Sequence, residues 1–194
     1  MPITIPADLT IVTLRNSTGV LPQRFTEEYA ETLLQNASTL LQSRIDIAFR
    51  KESIQTVIEE MPGDTRSDVV SEAGYHYLAS VYPALTGVRV LFVDSVDRAE
   101  LGGQSRHQTR VCLISYRTDE GSAATRVLAH ELGHLLELRH VDEVRLSGPG
   151  NEREIAARMR NLMYSGALNP AAELNSRQRA LARSSAIARR FGGS

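Results

Sequence analysis

Polar and apolar residues alternate through Leu9-Thr10-Ile11-Val12-Thr13-Leu14, the period-two pattern of a strand with one buried face. The period then lengthens. Tyr29, Leu33, Leu34, Leu40 and Leu41 recur at near-helical spacing behind Thr26, with Glu27 and Glu28 as an acidic first turn, which predicts a capped helix through Gln42. Alternation returns in Ile45-Asp46-Ile47-Ala48-Phe49-Arg50, a second strand. Met61-Pro62-Gly63-Asp64 breaks structure, and Asp68 to Tyr82 predicts a shorter helix ended by Pro83. Val88 to Val93 and Arg110 to Ser115 predict two more strands, with Leu101-Gly102-Gly103 between them as a turn or an open sheet edge. Gly121-Ser122 starts a further helix, and Leu174-Asn175-Ser176-Arg177-Gln178 starts a last one with Asn175 or Ser176 as its cap. Nothing repeats, and Ser147-Gly148-Pro149-Gly150 is too short to divide the chain, so 1–194 is expected to be one mixed α/β or α+β domain.

The helix after Gly121 carries the chemistry. His130-Glu131-Leu132-Gly133-His134-Leu135-Leu136-Glu137-Leu138-Arg139-His140 holds three of the chain's five histidines. Four residues of α-helix advance about 6 Å and turn about 400°, so His130 and His134 stack on one face where two imidazoles can grip one ion. Glu131 projects from a neighbouring part of that surface, as a general base would. A catalytic zinc takes three protein ligands and keeps a position for water, and His140 is the nearest third donor. Packing alone accounts poorly for this cluster, because ionisable groups inside the apolar run from Val127 to Leu136 are costly without a metal or a partner.

Composition changes this picture little. A chain of 194 residues suits one packed domain, and a formal net charge of −1 gives no field to draw nucleic acid or an anionic membrane. No stretch approaches the roughly 18 apolar residues of a membrane span. Met1 to Pro6 lacks a basic leader and an apolar core, so the chain as given is expected to be cytoplasmic, exported by another route, or trimmed. Cys112 is the only cysteine and falls within a predicted strand, where it is expected to be a buried apolar residue with no part in latency. Arg177, Arg179, Arg183, Arg189 and Arg190 read as a solvated helix face rather than a nucleic-acid surface. A monomer acting on a protein or peptide is expected.

Asn161-Leu162-Met163-Tyr164 adds a second motif. Taken with His130 to His140, it resembles the metzincin clan of zinc endopeptidases, whose pattern is two helical histidines, a glutamate, a third histidine ten residues after the first, and a methionine turn; Leu162-Met163-Tyr164 is most similar to the matrixin branch. The resemblance covers the second half of the chain in motifs and the first half in element order. It implies a metzincin-like (zincin) α+β domain: a mixed, mostly parallel, twisted five-stranded sheet with two helices, an active-site helix, the methionine turn and a C-terminal helix. It also implies zinc held by His130, His134 and His140, a zinc-bound water activated by Glu131, Met163 as an apolar floor, and Tyr164 lining the pocket for the residue after the scissile bond. A peptide would lie along the sheet edge near Gly102 to Arg110.

One residue departs from the clan pattern. Glu137 stands where the clan has a glycine that ends the helix in a left-handed conformation and returns the third histidine to the metal. If the helix ran on, His140 would point away, and Glu152, Glu154 or Asp142 would be the third ligand. If the chain turns at Glu137, that residue must hold a positive φ at about 1–2 kcal/mol. Two other functions share these residues: a zinc-binding protein of the same fold without peptidase activity, and a zinc hydrolase of non-peptide amides.

Overall fold

The alternating segments become strands of one sheet in a computed structural model that describes residues 2–16, 19–60, 70–93, 102–115, 122–141, 152–165 and 173–192. Strands β1 (Ile3–Asn16), β2 (Gly19–Val20), β3 (Ile47–Glu60), β4 (Val88–Val93), β5 (Gly103–Arg106) and β6 (Val111–Ser115) are joined by helices α1 (Glu27–Ile45) and α2 (Glu72–Val81). After the sheet come α3 (Ser122–Leu135), α4 (Glu152–Met159), α5 (Ser176–Ser184) and α6 (Ala186–Phe191). β3 runs parallel to β1, β1 to β4, and β4 to β6, while β5 lies antiparallel on the far side of β6. The short β2 turns back on the end of β1.

Alternation decides what each face of the sheet buries. Ile5, Ala7, Leu9 and Ile11 of β1, Val90 and Phe92 of β4, and Cys112 and Ile114 of β6 meet the apolar faces of α1 and α3. On α1 that face is Ala30, Leu33, Leu34, Ala37, Leu41 and Ile45, the i, i+3, i+4, i+7 spacing of one helical stripe. Thr26 caps it by accepting the N–H of Tyr29 at 3.1 Å. The other face of the sheet places Val12, Leu14, Leu91, Val93, Val111 and Leu113 against Tyr75, Leu78 and Ala79 of α2. β4 and β6 are therefore buried throughout, as central parallel strands are. Arg89 is the exception inside β4. It is tolerated there because it reaches Thr10 Oγ1 at 2.9 Å and Asp8 at 3.7 Å, and a buried charge is costly unless so partnered.

Several expectations shift in extent, and Ile45, read as opening a strand, instead ends α1. The strand predicted at Leu9–Leu14 extends over fourteen residues, as does its partner β3, which carries a bulge opposite Ala7 and Asp8. Most of β3 beyond Phe49 is exposed and polar, so its strand conformation comes from ladder bonds to β1 rather than from its own pattern. The second helix begins at Glu72, where Ser71 accepts the N–H of Gly74, and of the two readings of Gly103 the structure takes the open sheet edge, strand β5. Met61–Asp64, Leu101, Gly121 and Ser147–Gly150 lie outside the described residues.

Candidate metal centre

α3 turns Val127, Leu128, Leu132 and Leu135 into the core, and this anchors the two histidines one turn apart on its adjoining face. His130 is buried and His134 half-buried. The Nδ1 of His130 lies 2.6 Å from the Leu162 carbonyl oxygen, and the Nδ1 of His134 lies 2.8 Å from that of Leu138. A carbonyl only accepts, so in each ring Nδ1 carries the hydrogen and donates it. Nε2 is then left as a bare lone pair in the neutral imidazole. The Nε2 atoms of His130, His134 and His140 stand 3.0 to 3.1 Å apart in a near-equilateral triangle.

Converging lone pairs repel one another unless a cation lies among them. Donors each about 2.0–2.1 Å from one tetrahedral ion stand roughly 3.3 Å apart, close to the spacing found. Imidazoles whose far nitrogens donate to backbone carbonyls, as those of His130 and His134 do, are also the ligand chemistry and outer support that zinc takes. Among the described residues these three histidines are the His, Cys, Asp and Glu side chains positioned to share an ion. The donor set fits zinc.

His140 arrives because α3 ends sharply. Glu137 has φ 64°, its N–H bonds the His134 carbonyl at 2.9 Å, and the N–H of Leu138 bonds the Gly133 carbonyl at 3.1 Å. Those two bonds are the Schellman pair that closes a helix on a left-handed residue. The same reversal faces the Leu138 carbonyl to His134. The Glu137 side chain is used as well: its Oε1 accepts the N–H of Ala186 at 2.8 Å, at the start of α6, where a negative charge complements the helix dipole. Glycine at 137 would relieve the backbone and forfeit that bond. Two substitutions separate the effects: Glu137→Gly is expected to keep the metal and change stability by about 1 kcal/mol or less, whereas Glu137→Ala keeps the strain, loses the carboxylate, and is expected to be about 1 kcal/mol less stable than the glycine variant. Urea unfolding of both measures the difference. An alanine variant as stable as the glycine variant would show that position 137 carries no left-handed strain.

Of the alternative ligands, Glu154 is exposed on α4 and paired with Arg158 at 3.6 Å. Asp142 and the side chain of Glu152 lie outside what the structure describes.

Glu131, next to His130 on α3, reaches the edge strand. Its Oε2 accepts the hydroxyl of Ser105 on β5 at 2.5 Å. Burial raises its pKa to about 7, and the Ser105 hydrogen bond pulls the other way. The approach of β5 requires Gly103, because a Cβ there would stand 2.7 Å from Glu131 Cγ and 2.9 Å from the Leu113 oxygen. Cys112, paired with Ser105 across the ladder, is fully buried, and burial pushes its thiol pKa up.

Met163 is fully buried beneath α3. Its Sδ lies 2.7 Å from where a Cβ on Gly133 would sit, so any larger residue at 133 would have to push the Met163 side chain aside. The surrounding turn is pinned from several sides: Asn161 Oδ1 accepts the N–H of Met163 at 2.9 Å, the Met163 carbonyl accepts the N–H of Val141 at 3.0 Å, and the N–H of Leu162 bonds Glu173 at 2.8 Å. Asn161 in turn exchanges two hydrogen bonds with Gln178, which forms the capping box of α5 with Asn175. Tyr164 follows, half-buried, and is not among the described residues that line the adjacent groove. That groove, about 1270 Å³, runs from the β5–β6 turn past His134 and His140 to α4 and α5.

Sequence reasoning missed the supporting parts. The carbonyls of Leu138 and Leu162 carry no sequence signal. Gly103, Gly133 and the Asn175…Gln178 spacing did carry one.

No family model matches the sequence, and no curated protein matches it. Solved structures do. The crystal structure of metalloproteinase-II from Bacteroides fragilis is similar over 93% of this chain and 52% of its own, at 19% identity and a TM-score of 0.54. This chain thus spans about half the length of that protein. The crystal structure of archaemetzincin from Methanopyrus kandleri is similar over 92% of this chain and 93% of its own, at 12% identity and a TM-score of 0.56. At these identities the likeness is one of fold: a mostly parallel sheet with helices, similar to that of these two solved structures.

Proposed function

We propose that this chain is a zinc-dependent endopeptidase of metzincin type, with His130, His134 and His140 as ligands and Glu131 as general base. The observation that carries it is the triangle of three histidine Nε2 atoms, each 3.0 to 3.1 Å from the next, built beside a buried glutamate. When bound there, zinc supplies a Lewis acid that polarises a carbonyl and makes a water easier to deprotonate. A structural site needs no such carboxylate. Glu131 takes the proton of the attacking water and returns it to the leaving amine, and Ser105 holds the carboxylate in position. Met163 forms the apolar floor under the ligand helix, as the methionine turn does in the clan.

The outer edge of β5 pairs with no strand among the described residues, so an extended peptide can add to it by backbone hydrogen bonds. The reading makes peptides the partner, with the chain acting as a monomer. No described helix is long and apolar enough to cross a membrane.

Purified protein dialysed without chelator is expected to hold about one zinc per chain by plasma emission. Incubated with a denatured protein mixture, it should yield internal cuts read by mass spectrometry, and these should disappear on chelation and return with zinc. Only terminal trimming would move the reading to an exopeptidase. Folded protein with a zinc ratio near zero would end it.

A further inference from the structure

The groove beside the three histidines carries positive charge that its described residues leave unbalanced. Its acids are engaged: Glu137 with the Ala186 N–H, Glu154 with Arg158, and Glu173 with Arg160 at 3.7 Å. Arg106 is paired with Glu72. Arg139 and Arg177 line the same groove, both are exposed, and neither pairs with an acid among the described residues. Arg139 immediately precedes His140.

Arg177 stands where helix stability does not favour it. It lies in the first turn of α5, a turn with no acidic residue, and a cation there faces the positive end of the helix dipole. The other arginines of this segment have intramolecular uses: Arg179 donates to the Leu174 carbonyl and Arg183 to Asp46. Arg177 has none among the described residues. Two guanidiniums on one cleft without an acidic partner among the described residues, each able to bind a carboxylate through two parallel N–H groups, form a receptor for a negative group on whatever occupies the cleft.

We propose that the cleft selects peptides carrying a carboxylate near the bond over the histidines, held by Arg139 and Arg177. This rests on the peptidase reading. The carboxylate is either an aspartate or glutamate side chain or a free C-terminus. Both sources present the same planar anion to the arginines, and experiment separates them.

The test uses matched peptides in which glutamate replaces glutamine at each position in turn, each made with a free and an amidated C-terminus. With the zinc-loaded protein, kcat/KM is expected to be about tenfold higher for the peptide with the favoured carboxylate, the product of two pairs worth a few-fold each. In the Arg139→Gln/Arg177→Gln variant that ratio should fall to within about twofold of one. A preference that follows the glutamate position assigns a side chain, and one that follows amidation assigns the C-terminus. Binding of fluorescein-labelled forms of the same peptides to zinc-loaded Glu131→Gln protein, read by anisotropy, gives a measure free of turnover. If nothing is cut but carboxylate peptides bind more tightly and lose that advantage in the double variant, the peptidase reading falls and the receptor stands. If peptides are cut without preference, or the preference survives the double substitution, the receptor is overturned.

Discussion

Glu131→Gln is expected to lower peptide hydrolysis by about 10²–10⁴, the usual worth of a general base, with zinc content unchanged at about one per chain. The amide has the same shape as the carboxylic acid and still offers an oxygen to the Ser105 hydroxyl, which now lies 2.5 Å from Oε2. It fits the space that Gly103 leaves under β5. It also carries no charge to be desolvated, whereas burial raises the Glu131 pKa to about 7. The variant should therefore unfold no more easily than the parent in thermal melts. Activity within a factor of two of wild type would remove Glu131 from the chemistry. Loss of zinc would make it a ligand instead of a base.

The second large effect is expected at His140. Zinc present at about a thousandfold above its dissociation constant stabilises a folded chain by about 4 kcal/mol, and for a protein of this size that corresponds to a rise of roughly 10 °C in melting temperature. His140→Ala removes one corner of the triangle, so metal content after dialysis should fall toward zero and the zinc-dependent rise should largely vanish. Without metal the same variant should melt close to the parent, because it relieves crowding among lone pairs that Leu138 and Leu162 hold in place. Glu154→Ala should retain zinc, since that carboxylate is turned to Arg158. A His140→Ala protein that keeps its zinc and its full thermal response would mean that the third donor comes from elsewhere in the chain.

The sequence by itself determined the features whose partners lie within one or two turns of chain. His130 and His134 face one ion because helical geometry fixes where residues four apart point. Thr26 caps α1, Asn175 caps α5, and β4 appears between the residues predicted for it, since caps and period-two patterns are local. The left-handed Glu137 was legible for the same reason, as a condition on a helix that had to stop before His140.

The tertiary structure decided what depends on distance between elements. A carbonyl is chemically the same at every residue, so nothing in the chain marks Leu138 and Leu162 as the acceptors that set the histidine tautomers; packing of the turns selects them. The hydrogen bond from Ser105 to Glu131 spans 26 residues and exists because β5 closes on α3 over Gly103. The polar half of β3 is a strand because β1 offers it a ladder. Glu137, expected only to bear strain, also ties the ligand loop to α6, because the fold brings Ala186 to it across 49 residues. Side-chain periodicity encodes local conformation, whereas contacts across the fold are fixed only when the whole sheet and its helices have packed.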